Sequence, residues 1–529
     1  MRLADKAAEI AKVSARGGFS LFWGIVVSTV VSAVGLIVLA RVMPPEDYGL
    51  YTIALAAPSL IGTFRDWGMN SAMTKYTAQY GAERKLTAMR SILWAGLVFE
   101  VVLGLALSFL SFLLSGFIAA DIFRRPITAL IQISSFTILA GAFSTAAQAT
   151  FIGREDMRPN SLMLVFQAFF RAVLCPALVV LGFGASGAVV GYTVGLLGGG
   201  LVGVFLMFEI YNSLTRENGP TEPLRVGDTM KFMFRYGLPL SFSSIFNSFL
   251  GQFYNVLIAI YASNFLIGNY AVANNFAVLL TFFTTPIATM LFPAFSKLDS
   301  QKDKETLKVV FQSSVKYSSL LVIPPTVAVM ALANPAVSAL FGESYRSAPL
   351  FLALLAFNYL LTALGVLSAG NLISGQGKTG LFLKLAIVNT ITGVTLAVLL
   401  VPHFGVVGLI VTTIFDGVPG LILSLQWIKK HYDASVDWAS SAKILGSSAV
   451  SGAVAYFAVS FVNLSSWPKL ILGIVVFAAG FLLSVTATRT IRKPDIDALR
   501  LMTSDMGPLS SITDKILNVL ERLVSSLSA

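Results

Sequence analysis

Two histidines and a single cysteine in 529 residues leave almost nothing from which to build a metal or redox centre. Cys175 has no partner for an intrachain disulfide, and with His403 and His431 it does not make up a Cys/His cluster. Charge is scarce too: 12% of the residues are Asp, Glu, Lys or Arg, against roughly a quarter in soluble domains. That excludes a soluble enzyme fold, and neither a metal nor a cofactor is expected. What fills the chain is apolar, 56% of it, at a mean hydropathy of +0.80. Runs of about 20 apolar residues, enough for a helix to cross a bilayer, recur from end to end, so the fold class is all-α and the chain a polytopic membrane protein. The 37 basic residues against 26 acidic ones, a net charge of +11, fit either a nucleic-acid partner or the basic bias of cytoplasmic loops. Their positions decide for the second.

Fourteen spans are predicted, near 19–40, 48–68, 88–115, 126–152, 160–182, 187–211, 239–261, 267–295, 307–333, 349–374, 379–401, 406–427, 444–462 and 470–488. Sorting Lys and Arg by the intervening loops places 29 on the side of the N-terminus and five on the other, namely Arg41, Arg124, Arg125, Arg346 and Lys469. Basic residues concentrate on the cytoplasmic side, so both termini are expected in the cytoplasm of a cell-membrane protein. The first span is too long for a secretory signal and lacks its small-residue cleavage site, so it is expected to be retained. In the tail, Ile512, Ile516, Leu517, Leu520 and Val524 repeat at helical spacing between charges, which predicts an amphipathic helix on the membrane surface or against a partner.

The chain also resembles itself. Arg16-Gly17-Gly18 before span one corresponds to Arg235-Tyr236-Gly237 before span seven, and Gly49-Leu50-Tyr51-Thr52-Ile53-Ala54 to Gly268-Asn269-Tyr270-Ala271-Val272-Ala273, both at an offset of 219. Phe183-Gly184-Ala185-Ser186-Gly187 matches Phe404-Gly405-Val406-Val407-Gly408 at 221. An offset of six spans preserves direction across the membrane, so two pseudo-symmetric six-helix lobes are expected with a transport cavity between them. The predicted division is 1–225 for the first lobe, 226–435 for the second, 436–490 for two appended helices and 491–529 for the tail.

This repeat, the Gly-x-Tyr-x-aliphatic-Ala starts of spans two and eight, the Phe-Gly-x-x-Gly loops and the two extra helices resemble the polysaccharide-repeat-unit flippases. These belong to the superfamily that includes lipid II flippases and multidrug and toxin extrusion transporters. The resemblance covers about residues 14 to 490. It implies a transporter without catalysis, moving a polyprenyl-diphosphate-linked oligosaccharide from the cytoplasmic to the outer leaflet by alternating access. Membrane lipid, glycan-assembly proteins and a monomeric state are the implied surroundings.

Charges inside spans are costly and mark function by default. Arg171 and Glu100 fall midway along spans five and three, Lys316 a third of the way along span nine, Asp416 near the middle of span twelve, and Arg65 with Asp66 toward the cytoplasmic end of span two. One reading pairs Arg171 with Glu100, and Asp416 with Lys316 or Lys384, as internal ion pairs, with Arg65 and Lys384 snorkelling to the interface. The other uses Arg65, Arg171 and Lys316 to receive a diphosphate, with Glu100 and Asp416 as coupling groups. A polar stripe on span seven, Ser244, Asn247, Gly251 and Asn255, and Asn274, Asn275, Thr281 and Thr285 on span eight, either line a wet cavity for sugar hydroxyls or join helices.

Other features carry less. Gly375-Gln376-Gly377-Lys378-Thr379 lacks the upstream glycine of a nucleotide-binding loop, since Leu372 stands there. Gly187, Gly191, Gly195, Gly199 and Gly203 form a seam for close helix approach. Prolines 286, 324, 325 and 419 inside spans are expected to kink them or to be tolerated there. Two competing functions remain: a multidrug/cation antiporter of the same fold, disfavoured by the extra helices and by the lack of an acid between Phe19 and Ala40, and a membrane-embedded glycan ligase or glycosyltransferase, disfavoured by short, basic loops.

Overall fold

The structure, a computed structural model, describes residues 3–218, 226–298 and 303–491, together with 495, 496, 500, 518 and 521. The predicted tail helix through Ile512 and Val524 lies outside the described residues. Eighteen α-helices follow one another: α1 (Leu3–Val42), α2 (Pro45–Gly62), α3 (Met69–Ala82), α4 (Leu86–Phe117), α5 (Thr128–Gly153), α6 (Met157–Leu178), α7 (Gly184–Asn218), α8 (Val226–Tyr261), α9 (Asn264–Ala277), α10 (Thr281–Ser296), α11 (Lys304–Ala331), α12 (Ala333–Phe341), α13 (Ala348–Leu360), α14 (Val366–Gly375), α15 (Thr379–Phe415), α16 (Val418–Tyr432), α17 (Trp438–Phe461) and α18 (Ser466–Ala487). Among the described residues there is no strand. Among the described residues, nine helical stretches are long and apolar enough to cross a membrane, and a tenth forms if α13 and α14, bent by 56°, count as one broken span. Two of the nine, Met157–Leu214 and Thr379–Tyr432, run to 58 and 54 residues, twice the length that one crossing needs.

Both long stretches are interrupted at the repeated Phe-Gly-x-x-Gly. Gly184 adopts φ 50°, ψ −136° and Gly405 φ 55°, ψ −128°, the same backbone state at the same place in the repeat. A Cβ strongly disfavours that region, so glycine is what the turn requires. The second glycine of each motif works differently: a side chain on Gly187 would meet the backbone of Leu178, and one on Gly408 the backbone of Leu400. Each new helix therefore starts pressed against the end of the previous one. Pro44 and Pro45 act similarly at the start of α2, where Pro45 occupies the first turn with Glu46 and Asp47 at the positive end of the helix.

The chain divides into two compact units, residues 1–268 and 269–529. In the first, α7 lies antiparallel on α6 through the glycine seam. Side chains on Gly191, Gly195, Gly199 and Gly203 would strike Cys175, Arg171, Gln167 and Met163 in turn, so each step of four up α7 is a step of four down α6. α1 runs parallel to α6, with Gly24 against Ser161 and Gly35 against Ala172. Met69, Met73, Ile92, Leu93, Ala146 and Met207 form the core beneath α3 and α4. Met233 of α8 belongs to that core. The second unit is built around α11, whose Phe311 and Val315 pack with Phe295, Leu372 and Ile428. Its Leu320 and Ile323 pack with Ile444, Val485, Ile491 and Ile496. Pro324 and Pro325 are accommodated inside α11, which continues to Ala331.

Candidate functional site

Of the charges predicted inside spans, Arg65, Asp66 and Asp416 sit where helices break, whereas Glu100, Arg171, Lys316 and Lys384 lie within continuous helices. The helix of span two stops at Gly62 and resumes at Met69, and Arg65 and Asp66 occupy the gap. Gly68 has φ +80° and lies directly against the backbone of Gly237, leaving no room for a side chain. The Asp66 carboxylate accepts the Gly68 amide at 2.9 Å and so closes the turn. Arg65 is thereby turned into the unit, where its Nη1 donates to Glu100 Oε2 and to Thr145 Oγ1, the latter at 2.6 Å. Glu100 is fully buried and Arg65 11% exposed. The anticipated Arg171–Glu100 pair is therefore replaced by Arg65–Glu100. A helix continuing through 63–68 would carry Arg65 to another face, and only the break brings it round. Snorkelling of Arg65 is likewise overturned.

Arg171 projects from α6 beside Gly195. It lines a cavity of about 100 Å³ with Ser32, Tyr48, Tyr51 and Tyr192. Its Nη2 lies 3.5 Å from Ser32 Oγ, and the guanidinium carbon is 5.4 Å from the centroid of the Tyr192 ring.

In the second unit Lys316 Nζ donates to both oxygens of Asp495 at 2.7 Å, and the Tyr317 hydroxyl adds a bond at 3.2 Å. The expected Lys316–Asp416 pair is thus corrected to Lys316–Asp495. Asp416 lies with Gly417 between α15 and α16, where Pro419 opens the new helix, so span twelve breaks at its acid as span two does at its base.

The amides are spread more widely. Among the span-seven stripe, the side chains of Ser244 and Asn247 lie outside the described residues, and Asn255 donates to Gln252 at 3.2 Å. Asn274 is exposed and Asn275 half-buried. A 3-10 segment at Val278–Leu280 separates both from Thr281 and Thr285. Its tighter turn, three residues instead of 3.6, breaks the single stripe predicted for span eight. An apolar groove of about 720 Å³ lies between α11, α13 and α17, lined by Val327, Met330, Leu360, Leu445, Ala449 and Phe457.

Some functional-looking polar groups were not anticipated. Asp495 was assigned only to a surface tail, and Thr145 sits in an otherwise apolar run. Arg125, counted as a loop charge, donates to Asn264 Oδ1 at 2.6 Å and to the Ala262 carbonyl at 2.5 Å, capping α8. Buried Asn269 accepts the amides of Ser347 and Ala348 at 3.0 Å and caps α13. Proline-independent helix breaks leave a weak sequence signal, although Asp66-Trp67-Gly68 is one such sign. Outside the spans, hydrogen bonds from Ser440 hold the Asp437 carboxyl below its usual range, and Lys308 does the same for Asp433.

The family model described as "Polysaccharide biosynthesis protein" matches residues 14–299, and that for the lipid II flippase MurJ matches 160–479. The lipopolysaccharide biosynthesis protein WzxC of Escherichia coli is 24% identical over 70% of this chain and 72% of its own. The succinoglycan biosynthesis transport protein ExoT of Rhizobium meliloti is 23% identical over 61% of each. A "probable low-salt glycan biosynthesis flippase" of Haloferax volcanii is 23% identical over 44% of this chain, and the match spans half of that relative's length. Among solved structures, the lipid II flippase MurJ in an inward closed conformation superposes with a TM-score of 0.67 at 14% identity, covering 89% of this chain and 98% of that one. An inward-facing multidrug transporter of the MATE family superposes at 0.59 with 18% identity, over 77% and 94%. With broken, charge-bearing spans and the matching family model together, the chain belongs to the polysaccharide biosynthesis protein family.

Proposed function

We propose that this protein moves a polyprenyl-diphosphate-linked oligosaccharide from the cytoplasmic to the outer leaflet of the cell membrane by alternating access, for glycan or polysaccharide assembly. The observation that carries the reading is Arg65, a cation in the break of a spanning helix, held by a buried carboxylate. Broken spans are where membrane transporters place their ligand groups, and a guanidinium is suited to phosphate oxygens. In this reading the diphosphate exchanges with Glu100 on Arg65, or with Asp495 on Lys316, so that one anion replaces another. Exposed Asn274 and neighbouring Asn275, with Asn247 and Asn255, offer amides to sugar hydroxyls. The apolar groove along α11 and α17 has the lining that a polyprenyl tail requires. Support from outside the chain comes from relatives named for lipopolysaccharide and succinoglycan biosynthesis.

The same proposal gives fourteen crossings with both termini cytoplasmic, the two longest stretches each folding back at Gly184 and Gly405. The test is genetic and chemical. Deleting the gene is expected to deplete surface glycan and accumulate lipid-linked saccharide shielded from reagents outside the cell. Complementation by Arg65→Gln is expected to fall at least tenfold short of wild type at equal membrane abundance. Normal surface glycan in the deletion strain, with drug sensitivity instead, would overturn the reading.

A further inference from the structure

Arg171 lies midway along α6, an apolar helix of the first unit, and among the described residues no carboxylate lies within salt-bridge range of it. Its Nε is buried with no hydrogen-bond partner. The contacts it does make, a long one to Ser32 and an aromatic face at Tyr192, leave a positive charge with little compensation in a largely apolar, half-buried setting, which is costly. Nor is the side chain free to snorkel. Gly195 of α7 rests on its Cγ and its backbone, and the neighbouring Ala172 is pressed against Gly35 of α1. The guanidinium therefore stays in a partly open cavity of about 100 Å³ that Leu36, Leu39 and Ala168 line with carbon. Ser32, Tyr51 and Tyr192 bring hydroxyls to the same space.

We propose that Arg171 binds a small monovalent inorganic anion of chloride size in this cavity, with the hydroxyls of Ser32 and Tyr51 as further donors. The chemistry is one-sided: a fixed cation and hydroxyl donors, with no carboxylate among the residues that line the cavity to hold a metal ion. Size narrows the ligand further. A cavity of about 100 Å³ has room for a monatomic ion and is small for a diphosphate that bears a saccharide. This site is independent of the flippase reading, because its ligand is not the cargo.

The test uses the purified full-length chain in detergent. Its thermal midpoint is followed as sodium chloride or bromide replaces sodium gluconate at constant ionic strength. A saturable rise of about 2–5 °C in halide is expected, because a ligand that binds only the folded state stabilises it. Bromide-soaked crystals are expected to show anomalous density beside Arg171. Arg171→Gln should abolish the rise, and Arg171→Lys should retain it with at least tenfold weaker apparent affinity. Should Arg171→Gln fail to fold, Ser32→Ala and Tyr51→Phe carry the test, each expected to weaken halide affinity at least threefold. Equal midpoints in halide and gluconate would overturn the proposal, as would a halide response unchanged in these variants. Stabilisation by pyrophosphate or a short isoprenyl diphosphate, with none by halide, would overturn it too and assign Arg171 to the headgroup.

Discussion

Arg65 and Glu100 make up an ion pair in which the acid has no exposure to solvent. Such pairs are asymmetric. Removing one partner leaves an uncompensated buried charge and costs about 3–5 kcal/mol, whereas replacing both with apolar groups of similar volume is often near neutral. We expect Arg65→Met and Glu100→Leu each to lower the thermal midpoint by several degrees, and the double substitution to recover most of the loss while remaining inactive in complementation. A double variant as unstable as the sum of the singles would contradict this. The sequence exposed both residues, because charges stand out against apolar spans. It did not show that they meet, since the turn at Thr63–Gly68 resets the helical phase and a straight-helix count carries Arg65 elsewhere. Lys316 makes the same point: its partner Asp495 lies 179 positions away, in a segment whose charge pattern suits a membrane surface equally well.

At the scale of helices, glycine placement does most of the positioning. The seam on α7 was legible from its four-residue spacing, and the structure adds what it seats, namely Arg171 and its neighbours on α6. Two adjacent glycines separate packing from propensity. A Cβ at Gly198 would meet only the Phe166 ring, at 3.8 Å, whereas one at Gly199 would meet Gln167 Cβ at 2.7 Å. Gly198→Ala is expected to be neutral or stabilising by up to about 1 kcal/mol, since alanine is the better helix former. Gly199→Ala is expected to destabilise by about 1–3 kcal/mol through overpacking. Thermal midpoints of the two variants check this, and equal midpoints would count against the seam. The broken spans were less legible. Asp416-Gly417 precedes Pro419 and so carries a signal, but the 3-10 segment at Val278–Leu280 lies in an unremarkable apolar run, where tertiary packing outweighs local preference.

For the whole molecule, the number and sense of the crossings rest on whether Thr379–Tyr432 spans the membrane twice. In a Cys175→Ala background, single cysteines at positions 378, 403 and 430 report it. A membrane-impermeant maleimide added to intact cells is expected to label His403→Cys, and to label Lys378→Cys and Lys430→Cys only after permeabilisation. Labelling of all three from outside would remove both the second crossing and the cytoplasmic assignment of the C-terminus. The sequence by itself determined that this is a helical membrane protein with a recurring Phe-Gly-x-x-Gly motif, because hydropathy and repeated glycines are properties of the chain taken in order. Only the tertiary structure decided which charges meet, that α8 packs with the first unit, and that Arg171 faces a cavity without a carboxylate. Those outcomes depend on distances across hundreds of positions and on helix phase after each break, neither of which linear order encodes.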